Sequence, residues 1–203
     1  MIGFYNYTVW LTYIGMLSSV VGIGFACGGN ITAAVICLMF SGFCDMFDGI
    51  VARTKKDRTD EERRYGIQLD SLSDVVCFGV LPVAIGYNIG ATAWWQVAIM
   101  AAFALAGLIR LAYYNVTEET RQQQTTEKRK HYLGVPITTS ALTVPLLFCF
   151  EKLLGAHFPL AYTLLLLVNG ACFIVPIQVK KPSKTGLAIM LVLGVIFTAC
   201  ILL

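Results

Sequence analysis

Seven apolar stretches dominate this chain, near residues 8–27, 30–53, 66–90, 93–115, 135–154, 158–178 and 185–203. About 20 apolar residues in a helix cross a hydrocarbon core of roughly 30 Å, so each stretch is long enough to span a membrane. Only 13% of the 203 residues are charged and 57% are apolar, whereas soluble domains carry about 25% charge. The expected fold is therefore an all-α integral membrane protein. It comprises six core transmembrane helices and an additional C-terminal span, in one domain over residues 1–203. Segments 30–53 and 66–90 exceed a bilayer's need, which places their Arg53 and Gly66 ends in the headgroup region or the cytosol. The first span, from Thr8, lacks a basic leader and a small-residue cleavage site and reads as a retained span.

Basic residues set the expected orientation. Arg53, Lys55, Lys56, Arg58, Arg63 and Arg64 separate spans two and three. Arg121, Lys128, Arg129 and Lys130 separate spans four and five, and Lys180, Lys181 and Lys184 separate six and seven. The alternate loops, 28–29, 91–92 and 155–157, carry no Lys or Arg. Positive loops stay in the cytoplasm, which puts the N-terminus inside and the C-terminus outside. The cysteines form no CxxC pair and no Cys/His cluster, so a zinc site is not expected. Ser18, Ser19, Gly22 and Gly24 in span one read as close-packing residues.

Against this apolar background, Asp45, Asp48, Asp70 and Asp74 stand out. Asp45 and Asp48 are i and i+3, and Asp70 and Asp74 are i and i+4, so each pair shares a helix face. Gly49 and Ala52 fall on the first face with Arg53 at its edge, and Gly66 lies one turn before Asp70. A carboxylate at membrane depth costs roughly 2.5–3.5 kcal/mol on insertion scales. Only Arg53 and Arg110 are basic near that depth, too few to pair four acids. Clustered oxygen ligands suit Mg²⁺ or Mn²⁺. The small residues leave room beside the metals for a flat ligand.

The run D-x2-D-G-x2-A-R…G-x3-D-x3-D resembles the signature of the CDP-alcohol phosphotransferases, membrane enzymes that exchange CMP on a CDP-linked lipid or alcohol for another alcohol. All eight fixed positions match: Asp45, Asp48, Gly49, Ala52, Arg53, Gly66, Asp70 and Asp74. Twelve residues separate Arg53 from Gly66, more than the family usually has, and the extra ones are expected to lengthen a hydrophilic turn. D-S-L-S-D-V-V-C-F-G-V-L-P (70–82), R-L-A-Y-Y-N-V (110–116) and G-V-P-I-T-T-S (134–140) together resemble the bacterial and archaeal phosphatidylserine synthases.

The resemblance implies transfer of a phosphatidyl group from CDP-diacylglycerol to L-serine. Asp45, Asp48, Asp70 and Asp74 would hold two Mg²⁺ or Mn²⁺ ions, with Asp74 as general base. Gly49, Ala52, Arg53 and Gly66 would bind the CDP donor. Arg110 is the candidate for the serine carboxylate, since guanidinium grips carboxylates bidentately. A homodimer in the prokaryotic cytoplasmic membrane is implied, its site near the cytoplasmic face, with membrane lipids and no nucleic acid as partners. Lys128, Arg129, Lys130 and His131 read as headgroup contacts. The alternatives are a glycerol 3-phosphate or inositol acceptor, an ether CDP-lipid donor, and, more remotely, a divalent-cation transporter.

Overall fold

The computed structural model describes residues 2–124, 131–180 and 184–202. Lys128, Arg129, Lys130 and Lys181 lie outside the described residues, and so does the side chain of His131. Helices α1 (Trp10–Cys27) and α2 (Ile31–Ala52) form the first hairpin. Asn30 caps α2 by accepting from the Ala33 N–H at 3.1 Å. Gly29 supplies the positive φ of 82° that the tight turn needs. The two helices pack closely because a side chain is missing where they cross. A Cβ on Gly15 would lie 3.1 Å from that of Cys44, and one on Gly22 would lie 2.8 Å from that of Cys37. The packing role expected of Gly22 is thus observed.

Helix α3 (Asp60–Asp74), a π-helical turn (Val75–Val80) and α4 (Leu81–Asn88) follow one another as a 29-residue rod. Pro82 explains the local winding. It has no N–H, so the Phe78 carbonyl one turn earlier loses its ordinary helical donor. The Ser140 hydroxyl donates to that carbonyl instead, at 3.2 Å. The Pro82 carbonyl in turn accepts from the Tyr162 hydroxyl at 2.8 Å. π-Turns concentrate at functional positions, and this one begins at the residue after Asp74.

The segment between α2 and α3 is more ordered than a longer turn requires. Six of its twelve residues, Asp60–Tyr65, extend α3 towards its N-terminus. A capping box starts that extension: Thr59 Oγ1 accepts from the Glu62 N–H, and Glu62 Oε2 accepts from the Thr59 N–H, both at 3.1 Å. The other Glu62 oxygen accepts from Lys55 at 2.7 Å and from the Asn6 side chain at 2.9 Å.

Helix α5 (Trp94–Gln124) has 31 residues and continues nine residues past the expected end at Asn115. The polar run after Val116 contains no Gly or Pro, and its Glu118–Arg121 ion pair has helical i,i+3 spacing. The fifth apolar segment behaves differently. It folds as a 3₁₀ turn (Ile137–Thr139), a short α6 (Ser140–Phe148) and a single turn α7 (Glu151–Leu154). Pro145 within α6 removes one backbone donor and crowds the preceding turn. Helices α8 (Phe158–Ile174) and α9 (Lys184–Leu202) complete the bundle. Among the described residues, six helices are long and apolar enough to cross a membrane, and Ile137–Phe148 is the shorter apolar helix.

The core runs between the helices as Leu38, Phe78, Leu81, Ile85, Met100, Phe103, Tyr162 and Leu166. Helix α9 adds little to it and leaves Ile189, Val192, Val195 and Ile196 exposed. An antiparallel ribbon joins β1 (His131–Leu133) to β2 (Gln178–Lys180), with Tyr132 opposite Val179. Arg64 pairs with Glu119, tying the start of α3 to the end of α5. Tyr7 and Thr54 hydroxyls meet at 3.1 Å. These contacts join the segment before α1 to the α2–α3 segment, and the start of α3 to the end of α5.

Candidate active site

The four aspartates reach one cleft because α2 ends, and α3 begins, on one face of the bundle. One carboxylate oxygen from each of Asp45, Asp70 and Asp74 lies within 4.8 Å of the other two. Asp48 is buried beside them, against the Asp70 carboxyl. Its Oδ2 accepts from the Thr12 hydroxyl of α1 at 2.9 Å. Gly15, Ser41, Ser73 and Phe78 are among the other lining residues.

Two full charges about 4.8 Å apart repel by about 3–4 kcal/mol at an effective dielectric of about 20. Lys55, Arg63, Arg64 and Arg121 are paired with other acids: Glu62, Asp60, Glu119 and Glu118. The donor set is made of hard oxygens, which fits Mg²⁺ or Mn²⁺. Cys44 and Cys77 line the cleft but give no atom to the converging group. Among the described residues, Asp45, Asp70 and Asp74 are those able to hold a common cation, with Asp48 adjacent to Asp70.

The other expected residues are distributed around this centre. Ala52 is four residues beyond Asp48 and Gly66 four before Asp70, so both sit one turn, about 6 Å, nearer the loop face. Arg58 joins them. Its Nη1 donates to the Ala52 carbonyl at 3.3 Å, and its Nη2 would stand 2.6 Å from a Cβ on Gly66. Nothing lies within 4 Å of the side-chain position of Gly49. Arg53 is exposed at the end of α2. Arg110 is buried on α5, its guanidinium carbon 5.9 Å from the centre of the Tyr114 ring, and does not line the aspartate cleft. Asn115 on the same helix accepts from the Ser71 hydroxyl at 2.9 Å, linking α5 to the residue after Asp70.

Sequence reasoning missed Thr12. Span one carries no charge and looked purely structural, yet it supplies a neutral donor to the aspartate cluster. The available signal was depth: Thr12 lies near the start of α1 and Asp48 near the end of α2, so an antiparallel hairpin sets them level.

Residues 5–177 match the family described as CDP-alcohol phosphatidyltransferase. The chain is 40% identical over 114 residues to a Saccharomyces cerevisiae protein named CDP-diacylglycerol–serine O-phosphatidyltransferase, covering 55% of this chain and 40% of that one. It is 33% identical over 145 residues to the Helicobacter pylori protein of the same name, covering 69% and 54%. An archaetidylserine synthase of Methanothermobacter thermautotrophicus is 28% identical over 161 residues, covering 77% and 65%. The chain thus spans about half the length of the Saccharomyces and Helicobacter relatives. The family match takes in all four clustered aspartates and the helices that carry them: the chain belongs to the CDP-alcohol phosphatidyltransferase family.

Proposed function

We propose that the protein transfers the phosphatidyl group of CDP-diacylglycerol to the hydroxyl of L-serine, releasing CMP. The convergence of Asp45, Asp70 and Asp74, with Asp48 alongside, carries this reading, and the names of the relatives favour serine as acceptor. Asp45, Asp48, Asp70 and Asp74 would hold one or two Mg²⁺ or Mn²⁺ ions. Bound there, a divalent ion supplies positive charge to the donor diphosphate and to the departing oxygen.

The residues divide the remaining work. Asp74 accepts the proton of the serine hydroxyl as that oxygen attacks the lipid-linked phosphorus. The bond from phosphorus to the CMP oxygen breaks, and Asp74 then returns the proton to solvent. Thr12 orients Asp48. Beside Ala52 and Gly66, the open space at Gly49 leaves room for the nucleotide. Arg53 adds positive charge at the mouth, and Arg110 takes the serine carboxylate. Under the positive-inside rule the charged loops, with the N-terminus, are cytoplasmic. The working unit is a homodimer, for which the exposed apolar sides of α8 and α9 offer surface.

An ether-linked donor is the second reading, favoured by the likeness to an archaetidylserine synthase. Both are tested by CMP release from purified protein in detergent. Ester and ether CDP-lipids are offered with serine, glycerol 3-phosphate or inositol, with Mn²⁺, Mg²⁺ or chelator. Serine-dependent and metal-dependent release that Asp74→Asn abolishes is the expected result. Release only with another acceptor overturns the serine assignment.

A further inference from the structure

We propose that Arg58, from the segment between α2 and α3, binds the diphosphate of the CDP-linked donor. This rests on the donor reading above and adds a residue outside the eight-position motif. Three observations carry it. First, the Arg58 guanidinium lies between Ala52 and Gly66, one helical turn from Asp48 and Asp70. It fills space that only a residue without a side chain leaves open, since a Cβ on Gly66 would collide with Nη2. Second, its hold there is weak for a half-buried cation. Nη1 and Nη2 donate to the backbone carbonyls of Ala52 and Glu62 at 3.3 and 3.1 Å. Its Nε is buried without a hydrogen-bond partner among the described residues. Third, Arg58 takes part in none of the ion pairs among the described residues, although Lys55, Arg63 and Arg64 beside it all do.

A half-buried guanidinium with a donor to spare gains most from a ligand that presents several anionic oxygens in one plane. A nucleoside diphosphate entering towards the aspartates meets this group first. Its phosphate oxygens take the Nε and Nη donors, and the guanidinium turns away from the two carbonyls as they bind. The surrounding segment is built to hold the residue at this depth. Glu62, whose carbonyl Arg58 contacts, is fixed by Thr59, Lys55 and Asn6.

The test is titration calorimetry of the full chain in detergent with Mg²⁺, using CDP and cytidine as probes. A charge-assisted hydrogen bond contributes about 1.5–3 kcal/mol, so Arg58→Gln is expected to weaken CDP binding by roughly tenfold or more. Cytidine affinity is expected to stay within about twofold, because cytidine lacks the phosphates. Arg58→Lys, which keeps the charge, is expected to fall between. Arg58→Gln binding CDP as tightly as wild type, or more tightly, overturns the proposal while leaving the donor reading standing. Equal weakening of CDP and cytidine also overturns it, by making Arg58 a packing residue. If Arg58→Gln does not fold, Arg58→Lys decides: CDP affinity equal to wild type rejects the role, and a selective loss for CDP upholds it. Wild-type protein that binds no CDP defeats the donor reading itself, and this assignment with it.

Discussion

Replacing Thr12 by Val removes one hydroxyl and almost nothing else, since the two side chains have nearly the same shape. Thr12 and Asp48 are 9% and 8% exposed, so water does not replace the lost donor at 2.9 Å. A hydrogen bond to a charged group contributes about 1.5–3 kcal/mol. Each 1.4 kcal/mol is about a factor of ten in an equilibrium constant, which bounds the effect between roughly tenfold and a hundredfold or slightly more. Loss of a residue that orients a metal ligand falls in the same range. The Mn²⁺ or Mg²⁺ concentration for half-maximal CMP release is therefore expected to rise about 10- to 100-fold in Thr12→Val. The rate at saturating metal should stay within a few-fold of wild type. Thr12→Ser, which retains the donor, should restore most of the affinity. A metal titration of folded Thr12→Val that overlays wild type would refute the idea that α1 sets the aspartate geometry.

Two further perturbations separate stability from chemistry. Asp70→Asn removes one of the clustered charges, each close pair of which repels by about 3–4 kcal/mol; its thermal midpoint in chelator should rise while CMP release is lost. A lower midpoint would mean that the cluster is not strained by like charge. Ser140→Ala strands the buried Phe78 carbonyl, and an unsatisfied buried group costs about 1–3 kcal/mol. Its denaturation midpoint should fall, with a matching loss of activity because the disturbed turn adjoins Asp74; an unchanged midpoint would show that Ser140 does not brace the turn.

The site was legible where its geometry is local. Asp45 with Asp48, and Asp70 with Asp74, declare a common face through helical spacing alone, and paired acids in an apolar span are too costly to serve as packing. Thr12 was not legible, because a lone threonine in an apolar helix is ordinary and its partner lies 36 residues away. Arg58 was hidden for a different reason. It sits in a run of mixed charges that reads as solvated, and composition does not reveal which guanidinium turns inward. The spans followed the same division. Apolar length located all seven segments, but not the break after Phe148 that divides the fifth into α6 and α7. The extension of α5 past Asn115 has local support in the Glu118–Arg121 pair, while the meeting of Glu119 with Arg64 of another helix was not legible.

The hydroxyls that settle the chain around Pro82 come from Ser140 and Tyr162, 62 and 80 residues further along than the carbonyls they serve. During synthesis the four aspartates therefore enter the membrane well before the groups that fix the winding behind Asp74. A nascent chain that stops after α5 has every acid of the cluster and none of this bracing. The winding behind Asp74 gains its two hydroxyl donors only when α6 and α8 dock against it.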